Sequence, residues 1–242
     1  MKLVDGLAGL TCCLLMFSYE VATAQNLEKK IDVELSEKRW TTLILLGSKS
    51  PQAQPIPAKA PLKSVTKLEF EGPNSGNPHL LNKYQVEGKF VIQNGFLVPQ
   101  GGNSALLQLP PSDSFQLEGY VGLKGAGGCL ILFGWDLETK SGHCLYHSQL
   151  RTEGAPWRLC RIEDGKMAPG SDVLLKHEKI DGEGALRMQV VDHKCSLSIF
   201  NKPIMNDYQL TDYSAGAIMI GTFNPRYGPK QIGIHSLRMK GW

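Results

Sequence analysis

An all-β fold, built as an antiparallel sandwich of two sheets, is predicted for this chain by three observations. From about residue 80 onward, short stretches of alternating apolar and polar residues follow one another. Side chains of a strand point to opposite faces in turn, so such alternation marks sheets with one buried face. Glycine-rich turns separate the stretches, and Asn94-Gly95 is a dipeptide that favours the tight turn of a hairpin. Helical spacing is confined to the segment from Asn26 to Lys38, where Leu27, Ile31 and Leu35 recur among dense charge.

Taken in order, the chain opens with Lys2, an apolar run from Leu7 to Phe17, and Ala22-Thr23-Ala24 before Gln25. That positive, apolar and small-residue order is the pattern of a cleavable secretory signal, expected over residues 1–24. Asp5 and Glu20 depart from it, and an N-terminal anchor or a buried apolar segment is the alternative. The apolar run falls short of the roughly 20 residues of a membrane span. The expected location is therefore secreted, periplasmic or in the cell envelope, with no stable span after cleavage. Cys12 and Cys13 would leave with the signal.

Residues 25–62 form an N-terminal segment, with a strand over Trp40 to Leu46 and an irregular loop carrying Pro51, Pro55, Pro57 and Pro61. The sandwich domain is assigned to residues 63–242. Its first strand is Val65 to Glu71, followed by a hairpin in which Lys89 to Ile92 turns through Asn94-Gly95 into Phe96 to Val98. In Phe115 to Leu123, Phe115, Leu117, Val121 and Leu123 share one face, while Gln116, Glu118 and Tyr120 point the other way. Cys129 to Trp135 is apolar throughout and reads as a central strand. Cys144 to Leu150 and Trp157 to Ile162 follow, then Leu186 to Val191 hairpinned to Cys195–Phe200, and last Ala217 to Phe223 and Ile232 to Met239.

The 26 Lys and Arg against 23 Asp and Glu give a net charge of +3 spread along the chain. Without a basic run there is no nucleic-acid footprint. Cys129, Cys144, Cys160 and Cys195 would meet an oxidising compartment after export. Three connectivities are possible; a hairpin turning around Glu153 to Pro156 sets Cys144 and Cys160 at the same level of neighbouring strands, which favours that pair and leaves Cys129 and Cys195 to each other or buried as small apolar side chains. Their spacing is not that of a zinc site, and His143 and His147 on one strand are too far apart, at roughly 13 Å, to share an ion. No metal and no cofactor is expected.

The order of the pieces resembles the concanavalin A-like lectin and glucanase jelly roll, a group that includes laminin G-like domains and the bacterial 3-keto-disaccharide hydrolase domain. The likeness covers roughly residues 80 to 240. It is carried by Tyr84-Gln85-Val86 with Val91 to Leu97, by Phe115 to Leu123, by Leu186 to Ile204, and by Gly216 to Met239. It implies a jelly-roll sandwich and either carbohydrate binding or glycoside-type hydrolysis. The paired-acid motif of the family's glucanases is absent, so no catalytic residue carries over.

Sugar recognition needs aromatic faces for C–H patches and planar polar groups for hydroxyl pairs. Trp135, Asp136, Tyr146, Arg151, Trp157 and Arg158 lie on successive expected strands and are the candidate ligand-binding set, with Asp136 the best-placed acid. The functional expectation is an exported, non-catalytic module that binds glycan or another cell-surface component. The alternative is a glycoside or 3-keto-disaccharide hydrolase of the same fold; a structural envelope protein is a third reading.

Overall fold

The computed structural model describes residues 40–46, 62–65, 67–73, 81–93, 95–100, 104–123, 128–148, 157–176, 182–223 and 232–241. Every described residue belongs to one compact unit, Trp40–Trp242. The regular elements there are all strands: β1 (Thr41–Leu45), β2 (Lys63–Val65), β3 (Leu68–Pro73), β4 (Leu81–Val86), β5 (Phe90–Gln93), β6 (Phe96–Pro99), β7 (Ala105–Ser112), β8 (Phe115–Leu123) and β9 (Gly128–Asp136). They continue as β10 (Ser141–Ser148), β11 (Trp157–Glu163), β12 (Lys166–Met167), β13 (Val173–Lys176), β14 (Gly182–Val191), β15 (Lys194–Ile199), β16 (Lys202–Gln209), β17 (Gly216–Phe223) and β18 (Ile232–Lys240).

They build two eight-stranded antiparallel sheets, in agreement with the sandwich the alternation predicts. The front sheet runs β16-β15-β14-β8-β18-β6-β5, with β1 also on β18; the back sheet runs β12-β11-β10-β9-β17-β7-β2, with β13 also on β11. Because β1 pairs with β18, the sandwich takes in the strand at Trp40–Leu46 that the sequence reading placed ahead of the domain. Two-residue turns with both residues in the left-handed region close three hairpins: Asp164-Gly165 (φ 48° and 76°), Asp192-His193 (49° and 59°) and Phe200-Asn201 (53° and 60°). Such turns match the right-handed twist of the strands they join.

The expected Val65–Glu71 strand is two strands with different partners. β2 joins the edge of the back sheet through β7, while β3 pairs with β4 in a separate two-stranded sheet. Tyr84–Val86, read as part of an opening hairpin with residues 91–97, therefore pairs with Leu68–Phe70 instead.

Two apolar layers result. Between the sheets lie Phe115, Leu117 and Val121 of β8, Leu186, Met188 and Val190 of β14, and Ile131, Phe133, Leu145, Trp157, Ile218 and Ile220 of the back sheet. The back sheet is also apolar on its other side, where Leu130, Leu132, Trp135, Cys144, Tyr146, Cys160, Ile162 and Met219 are covered by Leu68, Phe70, Tyr84 and Val86 of the β3–β4 hairpin. Phe70 stacks on Tyr84 at 4.9 Å and meets Trp135 at 5.4 Å. This is why β9 reads as an unbroken apolar run: it is buried on both faces.

Alternation alone would put Trp135 with Ile131 and Phe133. A bulge at Gly134, whose φ of +56° suits glycine, shifts the parity and turns Trp135 onto the hairpin side. A Cβ at residue 134 would meet the Ser214 carbonyl oxygen at 2.6 Å, so backbone crowding as well as φ reserves the position.

His143 is a polar member of the core, 4% exposed and stacked on Phe133 at 5.4 Å. Burial pushes its imidazole from 6.5 down to about 4; Arg161 adds to the shift, while a hydrogen bond to the Thr211 backbone and the charge of Asp212 oppose it.

Two outcomes test this packing. Trp135→Ala, which empties a site 1% exposed, is expected to cost roughly 3–5 kcal/mol in denaturant unfolding. Between pH 6.5 and about 4 the unfolded His143 binds a proton that the folded one refuses, so stability falls as pH drops through that window, by at most about 3 kcal/mol from this group. The stability of wild type minus that of His143→Phe should fall across the window as pH drops, whichever of the two is the more stable at pH 6.5; a difference that does not change with pH would count against the assignment.

Candidate functional site

The residues proposed from sequence do not converge on an open face. Trp135 is 1% exposed and Tyr146 0%, both under the β3–β4 hairpin, whereas Trp157, also 0% exposed, faces the other way into the inter-sheet core against His147 at 4.7 Å. Apolar demand on both faces of the back sheet has taken the aromatic rings that sugar binding would need. Arg158, 8% exposed, is held by Asp172 through a two-pronged pair, Nε to Oδ1 at 2.9 Å and Nη2 to Oδ2. That carboxylate raises the guanidinium pKa further and occupies its donors. Arg151 lies outside the described residues.

Among the described members of the set, Asp136 is the one with a solvent-facing side chain. Its Oδ1 accepts the backbone N–H of Glu138 at 2.8 Å and of Thr139 at 3.3 Å, which makes it the cap of the turn into β10. Those backbone donors hold its carboxyl below the usual 3.8. A turn acid kept ionised is the wrong group to donate a proton to a leaving oxygen.

The outer side of the front sheet is the large polar face among the described residues. On β8 the alternation places Gln116, Glu118 and Tyr120 outward. Direct cross-strand partners extend each position sideways. Arg187 on β14, Glu118 on β8, Arg238 on β18 and Thr42 on β1 form one row across four strands. Beside it run Gln189, Gln116 and Lys240 on one side, and Ala185, Tyr120 and Ser236 on the other.

Within the middle row Glu118 is held from both flanks. Arg238 donates from Nε at 3.0 Å and from Nη2 at 2.5 Å to Oε2, and the Arg187 Nε stands 3.9 Å from Oε1. Arg238 also lies over the Trp40 ring at 4.3 Å, with Lys240 over the same ring at 5.2 Å. Ion pairs this exposed contribute less than about 1 kcal/mol each, so the row does little for stability; what it does is hold planar donors and acceptors in register at the surface.

A shallow cleft of about 350 Å³ opens over this row, lined by Thr42, Glu118, Tyr120, Arg187, Ser236 and Arg238 among others. Tyr120, 37% exposed, supplies its aromatic ring, steadied edge-on by His235 at 6.0 Å. His235 is in turn fixed through Nδ1 to the Gly95 carbonyl at 2.7 Å. Gly119 forms the floor: a Cβ there would meet the Ser236 carbonyl oxygen at 2.6 Å, so only glycine allows β8 and β18 this close. Glu118 is the single carboxylate among the lining residues.

A second cavity of about 250 Å³ is bordered by His143, Arg161, Ser171, Tyr208 and Thr211. Arg161 there is engaged by Glu163 at 2.7 Å and by Asp212. Among the described residues no group of three or more His, Cys, Asp or Glu is arranged to hold a metal ion, and no helix is long and apolar enough to cross a membrane.

The sequence held the signal for the cleft in the polar half of the Phe115–Leu123 alternation. What it did not show was which residues of β14, β18 and β1 stand beside Glu118, because register between distant strands is not written locally.

No protein-family model matches the chain, and no curated protein matches it. Solved structures similar to it include the CBM2 module of an evolved Dit from Lactobacillus casei BL23 phage J-1, at TM-score 0.49 and 10% identity, covering 84% of this chain and 96% of that one. A legume lectin-like domain from Entamoeba histolytica matches at TM-score 0.46 and 13% identity over 71% of this chain and 95% of that one. The carbohydrate-binding module CBM66 from Bacillus subtilis matches at TM-score 0.43 and 9% identity over 64% and 88%. All of these scores lie below 0.5, and the two-sheet sandwich rests on this chain's own strand order.

Proposed function

We propose that the protein binds glycan, without turning it over, in the cleft on the outer side of the front sheet. The observation that carries this reading is the row Arg187, Glu118, Arg238 and Thr42 beside the exposed Tyr120 ring. Guanidinium and carboxylate groups in fixed register match pairs of sugar hydroxyls, and an exposed ring offers a face to the C–H side of a pyranose. The carbohydrate-binding names of the similar structures belong to those proteins; the reading here stands on the cleft.

Hydrolysis by the usual route needs two carboxyl groups about 5–10 Å apart across the scissile bond. The cleft offers Glu118 alone, already shared by two arginines, which supports binding over turnover. Arg187 and Arg238 against Glu118 leave the cleft lining with a positive excess, which favours glycans that carry carboxylate or sulfate. The proposal also keeps the exported location, on the strength of the order Lys2, Leu7 to Phe17 and Ala22-Thr23-Ala24.

A glycan array followed by calorimetry on the best binder tests the cleft. Tyr120→Ala and Arg238→Ala are each expected to weaken binding by about tenfold or more while the circular dichroism spectrum stays that of wild type, and affinity for an acidic glycan is expected to fall as salt rises. Silence on every glycan, binding indifferent to both variants, or release of reducing sugar would each sink the reading. Export has its own check: the intact mass of protein recovered from its native source should correspond to a chain beginning at Gln25.

A further inference from the structure

We propose that Cys144 and Cys160 are joined by a disulfide that staples β10 to β11. The two are direct cross-strand partners in an antiparallel pair. Opposed residues of such a pair have Cα atoms roughly 4.5–5.5 Å apart, within the range a disulfide spans. Both side chains leave the sheet on the same face, into the layer beneath the β3–β4 hairpin, and both are buried there. The thiols are free here and hydrogen-bonded to one another.

The other two described cysteines have no comparable neighbour. Cys129 is opposite His147 and Thr222, and Cys195 is opposite Val190 and Tyr208. They stand on different sheets, β9 of the back and β15 of the front. Neither is a cross-strand partner of another cysteine, so neither has a thiol set opposite its own on a neighbouring strand. Of the pairings among the four, one is ready-made.

The chemistry is a thiol–disulfide exchange. A disulfide oxidant such as oxidised glutathione is attacked by one cysteine thiolate and releases one reduced glutathione. The second cysteine then attacks the mixed disulfide and displaces the other; the two cysteines lose two protons and two electrons, and the oxidant becomes two thiols. Timing follows from burial. The hydrogen bond to Cys144, and then burial, push the Cys160 thiol well above 9.0, so the folded reduced protein is a poor nucleophile. The bond therefore forms while the β3–β4 hairpin is off the back sheet, during folding, and once formed lies beyond the reach of reductants.

The test starts from reduced, unfolded full-length protein, refolded in a buffer of reduced and oxidised glutathione, then alkylated with iodoacetamide in denaturant and digested with trypsin without reduction. Cleavage after Arg151 and Arg158 separates the two cysteines, so the bond appears as two peptides of unequal length joined covalently. The expected result is that linked pair, with Cys129 and Cys195 alkylated. The oxidised protein should melt higher than the reduced one by roughly 5–10 °C, as closing a loop of about 15 residues implies, and Cys160→Ala should abolish the difference. Cys144 and Cys160 both alkylated, or either of them bonded to any other cysteine, would overturn the proposal, and both readouts on wild type stand whether or not the variant folds.

Discussion

The outer face of the back sheet is apolar, and it has to be covered. Leu130, Leu132, Trp135, Tyr146, Ile162 and Met219 would otherwise face water from one continuous surface, and burying each large side chain of this kind is worth about 1.5–3 kcal/mol. The β3–β4 hairpin supplies the cover through Phe70, Tyr84, Leu68 and Val86. A short two-stranded ribbon is marginal alone, so hairpin and sheet depend on each other. The sandwich is in effect a three-layered stack, and the free large face left over belongs to the front sheet.

That division of labour separates the aromatic residues from the polar ones. Rings on the back sheet are spent on packing, and the side chains able to meet a ligand sit on β8, β14, β18 and β1, strands drawn from both ends and the middle of the chain. The polar row is straight because those strands are in register at Glu118, and the register is held from the inner side by Leu117, Met188 and Met239. Surface chemistry and core packing are thus two faces of the same residues' alternation.

Most of the fold was legible. The Phe115–Leu123 alternation reads directly as a strand with one polar face, and the all-apolar Cys129–Trp135 run reads as buried on both sides. Three things were not legible, each for a physical reason. Strand β7 contains Pro110-Pro111, which suppresses a strand reading although both fall near its end, where a missing donor is tolerated. The Val65–Glu71 run conceals a change of partner, since β2 extends the edge of the back sheet while β3 joins the hairpin that covers it, and only long-range pairing shows it. Of the candidate residues, Trp135, Tyr146 and Trp157 lie on a sheet buried on both faces, and Asp172, fourteen residues on, holds Arg158. Aromatic residues near acids and arginines in sequence proved to be core and capping groups; the polar half of β8 was the better signal.

Trp40 gives the cleft an optical property. Trp135 and Trp157 are enclosed, whereas Trp40 is half-buried and carries Arg238 on its face at 4.3 Å. An indole's emission responds to a charge resting on its ring. Any molecule that draws the Arg238 guanidinium toward itself must therefore alter the light from Trp40, so the protein carries an intrinsic fluorescent reporter wired to the centre of its polar row.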